Sequence, residues 1–227
     1  MQIELHPTNP SSCRGGKWSR RGAIPESVRK FGWIFDTSLL EPADLILVRE
    51  TKTDRVGRAI VGAQLRGGYH CNDARWTHAA MYVGDGITLC EATFSLNPFE
   101  KGGVILTPVW EYCGSHIVRV RRPKELKTSN DRWLVAISAL TNLNKAYDFG
   151  YILNLAFRAQ RGEGFWANDT RCHLKPSALV CSTLYADAYT RHTRKVLGEK
   201  ENGHCTPAYL SQCDQFVDVG VNWLEIS

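Results

Sequence analysis

The period of the apolar residues changes near Asn130, and this switch constrains the fold more than any other feature of the chain. Before it, apolar residues come in short runs of strand length. After it, Trp133, Ile137, Leu140 and Leu143 follow helical spacing. Strands gathered ahead of helices predict an α+β domain, a small antiparallel sheet packed against helices. Pro42 to Arg49 reads as a buried strand entered from a turn. Val56, Ala59, Ile60, Ala63 and Leu65 give an amphipathic helix stopped at Gly67-Gly68. Two strands flank Gly84-Asp85-Gly86, where Asp-Gly signals a tight hairpin with positive φ at both turn positions. Val104 to Leu106 and His116 to Val120 supply further strands. Beyond the switch, Tyr151 to Ala156 is expected to form a second helix, 161–172 a loop and Cys181 to Thr190 a third helix. Residues 191–203 read as a surface connection. Thr206-Pro207 opens a short helix, and a last strand lies near Phe216 to Trp223.

The first 22 residues hold Pro7, Pro10, Gly15, Gly16, Arg20 and Arg21, the composition of a loosely attached arm. Pro25-Glu26-Ser27 could open a short helix toward Trp33. The expected division is a partly ordered arm over 1–40 and one domain over 41–227, and 227 residues suffice for one substantial core. The arm lacks the apolar segment of a signal peptide, and no apolar run reaches transmembrane length. The expectation is synthesis in the cytoplasm, with any work in the periplasm or envelope reached by a non-classical route. A net charge of +5 suits an anionic surface, but the basic residues are scattered and no nucleic-acid motif is present. No nucleic-acid partner is expected.

Eight cysteines are dispersed without a CxxC pair, which favours reduced, mostly buried thiols over a disulfide framework. His70-Cys71, Cys172-His173 and His204-Cys205 are neighbours, but they lack the paired spacing of a zinc site, so no metal is expected.

Three residues stand out by type and order. His78 lies in the strand run Trp76 to Val83, Glu91 in the next strand, and Cys181 at the head of a helix after the apolar pair Leu179-Val180. Thiol, imidazole and carboxylate are the parts of an activated cysteine nucleophile. The hairpin tests whether the first two meet. With Gly84-Asp85 as a two-residue loop, His78 faces Glu91. With Asp85-Gly86, Glu91 faces Ala80, one pair along on the same face. Either loop of even length puts them within reach. A helix N-terminus favours a thiolate at Cys181 and offers free N–H groups to a developing oxyanion. Taken singly, each residue has an ordinary explanation: a satisfied histidine, a strand-end carboxylate, an inert core thiol.

The ordered set Ala43-Asp44-Leu45-Ile46-Leu47, His78-Ala79-Ala80-Met81-Tyr82-Val83-Gly84, Glu91-Ala92, Tyr147-Asp148, Cys181-Ser182 and Thr206-Pro207-Ala208-Tyr209-Leu210 resembles the circularly permuted branch of the NlpC/P60 papain-like superfamily, the branch of YiiX-like proteins and lecithin–retinol acyltransferase relatives. The resemblance covers roughly 41–223. It departs at Ala43, Val180 and Thr183, where glycine, an aromatic residue and glutamate are usual. It implies a papain-like fold with Cys181 as nucleophile, His78 as general base and then acid, and Glu91 as orienter. It gives Tyr147 and Asp148 no role. It implies a thiol hydrolase without metal or organic cofactor, acting by acyl transfer through a thioester. A peptide amide of bacterial peptidoglycan is the first substrate expected, and a phospholipid ester, with hydrolysis or acyl transfer, the second. Proteins of this type also serve as toxins delivered to rivals, and such a toxin would have an inhibitory immunity protein as partner. A non-catalytic binding module is the competing reading.

Overall fold

The structure, a computed structural model, describes residues 17–18, 24–52, 54–94, 102–148, 150, 178–198 and 205–226. The helix expected over Tyr151 to Ala156 and the loop over 161–172 lie outside the described residues, as does most of the N-terminal arm.

The centre is a six-stranded antiparallel sheet. In chain order its strands are β3 (Leu45–Glu50), β4 (His78–Tyr82), β5 (Thr88–Thr93), β6 (Gly103–Pro108), β7 (His116–Pro123) and β10 (Phe216–Asp218). They lie in the order β10-β7-β3-β4-β5-β6. β3 shows why its sequence is a continuous apolar run. It sits between β7 and β4 with both faces covered. Leu45 and Leu47 enter one core, Ile46 and Val48 the other. On the first face the sheet packs against α4 (Ser129–Leu140) and α5 (Cys181–Thr193), through Val135, Ala136, Ala139, Leu184, Tyr185 and Ala188. Those residues recur at helical spacing, which is the source of the period change at Asn130. A Thr128–Asp131 capping box starts α4 at the same point.

On the second face lies a three-stranded sheet of β1 (Lys17–Trp18), β11 (Trp223–Ile226) and β2 (Trp33–Phe35), with α1 (Glu26–Phe31) beside it. Residues 24–40, grouped with the arm in the sequence reading, supply Ile24, Val28, Ile34, Phe35 and Leu40 to this core. Gly32, at φ 80, turns the chain from α1 into β2.

The single strand expected near Phe216 to Trp223 is two strands in two sheets. Asp218 is drawn to the buried Arg119 and Arg121, and the chain then leaves the main sheet to join β2. Arg119 also donates to Ser211, and Arg121 to the Leu210, Ser211 and Phe216 carbonyls. These bonds fix α6 (Pro207–Gln212) and β10 to the sheet. Buried Gln64 of α2 (Arg55–Arg66) donates to the Ala74 and Trp76 carbonyls and accepts from Ala208 N–H, tying α2, α3 (Cys71–Ala74) and α6 together. A parallel pair, β8 (Ala146–Tyr147) with β9 (Ala178–Leu179), leads the chain into α5. Among the described residues, no helix is long and apolar enough to cross a membrane.

Candidate active site

The β4–β5 turn decides where Glu91 stands. The observed register pairs Ala80 with Glu91, the second of the two alternatives. The turn differs from the expected two-residue form. Val83 N–H bonds to Thr88 C=O across a four-residue loop, and the positive φ angles fall on Gly84 and Gly86 rather than Asp85. Asp85 instead accepts from the Ile87 and Thr88 N–H groups, at 3.0 and 2.7 Å. That side-chain bonding replaces the turn-closing geometry of an Asp-Gly type I′ pair. The loop is still of even length, so His78 and Glu91 share a face of the sheet.

The His78 Nε2 to Glu91 Oε2 distance is 2.7 Å. Glu91 is 2% exposed, and its carboxylate also accepts from Thr107 Oγ1, at 2.5 Å, and from the Tyr112 hydroxyl. Burial pushes the Glu91 carboxyl up, but the His78 charge and these donors outweigh it and hold it below the usual range. Thr107 and Tyr112 were missed by sequence reasoning. Thr107 reaches Glu91 only through the β5–β6 register, which pairs it with Leu89, and Tyr112 comes from the 3-10 turn Val109–Tyr112.

Cys181 is the first residue of α5 and 6% exposed. Thr183, where the resemblance has glutamate, closes this helix start: its hydroxyl accepts from Val180 N–H and donates to Val180 C=O. Burial raises the Cys181 thiol. The adjacent His78 imidazolium, by charge and hydrogen bond, and the Ala79 and Ser182 N–H groups reverse this and leave it lowered. For His78 the balance is the converse. Burial favours the neutral ring, but Glu91 first and Cys181 next push it up to about 10. With Nε2 taken by Glu91, Nδ1 is the nitrogen left for the thiol. The arrangement thus favours a thiolate beside an imidazolium that is held from behind by a buried carboxylate. The three residues selected from sequence are brought together.

Tyr147, given no role from sequence, lies on β8 beside the entry to α5. Its phenol is raised by burial and then by the Cys181 charge. The exposed part of His78, 20% of its side chain, faces a cleft of about 240 Å³ walled by Val56 and Ile60 of α2 and by Thr77, Tyr112 and His116. The six cysteines among the described residues are free thiols.

No known family profile matches the sequence, and no curated protein matches it. Among solved structures the chain is similar to the crystal structure of metalloprotein yiiX from Escherichia coli O157:H7. The TM-score is 0.52 at 16% identity, over 79% of this chain and 96% of that one. At this identity the likeness is one of fold, and the fold is α+β and papain-like, as expected. The metal belongs to the description of yiiX. Among the described residues here, no three His, Cys, Asp or Glu side chains converge into a group that could hold an ion.

Proposed function

We propose that the protein is a cysteine-nucleophile hydrolase working by acyl transfer. The observation that carries this reading is the buried Glu91 bonded at 2.7 Å to His78, whose ring also hydrogen-bonds the Cys181 thiol. The Cys181 thiolate attacks the carbonyl carbon of an amide or ester, and N–H groups at the positive end of α5 take up charge developing on the oxygen. The C–N or C–O bond then breaks. The imidazolium proton of His78 passes to the leaving group, and the acyl group remains on sulfur as a thioester. Neutral His78 takes a proton from water as water attacks that thioester. The acid product leaves, and the thiolate–imidazolium pair is restored. Glu91 holds the ring and stabilises its cation throughout.

The substrate we infer is a component of the bacterial cell envelope, with a peptidoglycan stem-peptide amide first. A phospholipid ester would use the same site, and delivery as an antibacterial toxin would fit either. The test is mass spectrometry of products from purified peptidoglycan and from mixed phospholipid vesicles, each incubated with wild type and Cys181→Ala. Cys181-dependent muropeptide cleavage supports the peptidase. Cys181-dependent lysolipid moves the substrate to lipid esters. Equal products from wild type and Cys181→Ala would remove Cys181 from the mechanism.

A further inference from the structure

Glu91 carries more donors than an orienting carboxylate needs, and two of them converge on one oxygen. Oε2 receives both His78 Nε2–H and the Tyr112 hydroxyl, while Oε1 receives Thr107. A carboxylate oxygen offers two good acceptor directions, so Oε2 is saturated and the group has no free rotation. Tyr112 is itself fixed. Its ring lies 6.0 Å from that of His78 and meets His116 edge-on at 5.1 Å. Its 3-10 turn is tied to the hairpin by Val109 N–H on the Ile87 carbonyl, at 2.8 Å.

We propose that Tyr112 is a positioning residue of the Cys181–His78–Glu91 site: its hydroxyl keeps the buried Glu91 ionised and aimed at the imidazole. The inference rests on the thiol-hydrolase reading and extends it to a fourth side chain. The titratable groups around Glu91 are His78 on β4, Cys90 beside it on β5, Tyr112 and Glu111 on the turn, and His116 on β7. Glu50 of β3 stands opposite His116, and Cys181 of α5 acts through His78. Of these titratable groups, His78 and Tyr112 donate to the carboxylate. Removing the phenol hydroxyl takes one of three donors from a carboxylate that water does not reach. Its affinity for a proton then rises. Glu91 is neutralised at a higher pH, His78 loses its counter-charge, and the thiolate loses its cation.

The thiolate can be read without knowing the substrate. Wild type and Tyr112→Phe are treated with iodoacetamide from pH 4.5 to 9, and alkylation of Cys181 is followed by peptide mass spectrometry, with the exposed Cys71 as internal reference. In Tyr112→Phe the acid limb of the Cys181 profile is expected to move to higher pH. The rate near pH 5 should fall about tenfold, the consequence of a one-unit displacement, with the rate near pH 8.5 unchanged. Superimposable profiles, or a fall by the same factor at every pH, would overturn the proposal, because the retained phenyl ring then accounts for all that Tyr112 does. A wild-type Cys181 no more reactive than Cys71 at neutral pH would instead overturn the thiol-hydrolase reading, whatever Tyr112→Phe does.

Discussion

Glu91 bonds to His78 although the two are not cross-strand partners: Glu91 stands opposite Ala80, and its Oε2 reaches back 2.7 Å from His78 Nε2. The diagonal is possible because residues two apart on β4 point to the same face. His78 projects from the first position of β4, where its ring reaches both the Glu91 carboxylate and the N-terminus of α5.

Glu91→Gln tests what the carboxylate contributes. Three groups donate to Glu91, and an amide offers one oxygen and one NH2 in place of two acceptors. One donor must turn away or accept instead, and the imidazolium loses its counter-charge. The rate should fall about 10²- to 10⁴-fold, the range that general acid–base contributions span, with residual turnover remaining. Steady-state kinetics on the substrate found active with wild type measures it. An unchanged kcat would reduce Glu91 to a structural residue.

Gly84 lies in the loop between the two strands that make this contact. Its φ is 105, and an added Cβ would lie 2.6 Å from Pro42 Cγ and 2.9 Å from Trp133 Cη2. Gly84→Ala therefore meets backbone strain and a steric clash together. A loss of about 1–3 kcal/mol of stability is expected, read as a lower urea midpoint at unchanged slope. Gly86→Ala is the informative comparison. Its φ is 95 but nothing lies within 4 Å of the added atom, so it should cost less.

Much of this hairpin logic was legible in the sequence because it is local. Even parity between His78 and Glu91 follows from any even loop, and the observed four-residue loop preserved it where the turn type did not. The continuous run Leu45 to Val48 likewise announces a central strand. Tyr112 and Thr107 were not legible. Thr107 depends on the register between β5 and β6, and Tyr112 on a turn following β6, and neither has a sequence period. Nor was β2, whose partner β11 lies at the other end of the chain and leaves no local signature.

Asp218 is expected to be the most costly surface-edge carboxylate to remove. It accepts from Arg119 Nε and Nη2, at 2.8 and 3.1 Å, and lies 3.3 Å from Arg121 Nε. Arg119 and Arg121 are 3% and 6% exposed. Burial, and then the Arg119 charge, already push Arg121 down. Asp218→Ala leaves two buried cations with Asp73 as a more distant counter-charge, 3.9 Å from Arg119 Nη1, and breaking a buried pair in this way costs about 3–5 kcal/mol. Chemical denaturation measures it. A change under about 1 kcal/mol would mean that Asp73, with the Ser211 and main-chain acceptors, compensates the pair without Asp218.

The thiolate–imidazolium pair predicts an unusual pH signature of stability. In the unfolded chain between pH 6.5 and 9.0, the ordinary values of the two groups, Cys181 holds a proton and His78 does not. In the fold His78 is raised to about 10, so the ring keeps its proton through this window, and the thiol is lowered, so it gives up its proton at a lower pH than in the unfolded chain. The two groups then act in opposite directions: the ring's contribution to stability shrinks as pH rises above 6.5, and the thiol's grows as pH rises toward 9.0, so the pair flattens the pH dependence of stability. Cys181→Ala breaks the balance. His78 alone remains, opposed by burial but still bonded to the Glu91 carboxylate at 2.7 Å, which favours its charged form. The stability it contributes is then full below pH 6.5 and is lost as pH rises through the folded value. Melting temperatures of wild type and Cys181→Ala should therefore diverge steadily from pH 6.5 to 9, the variant falling relative to wild type. A difference that stays constant over this range would mean that thiol and imidazole are both neutral in the fold, and the nucleophile would have to be activated only when substrate binds.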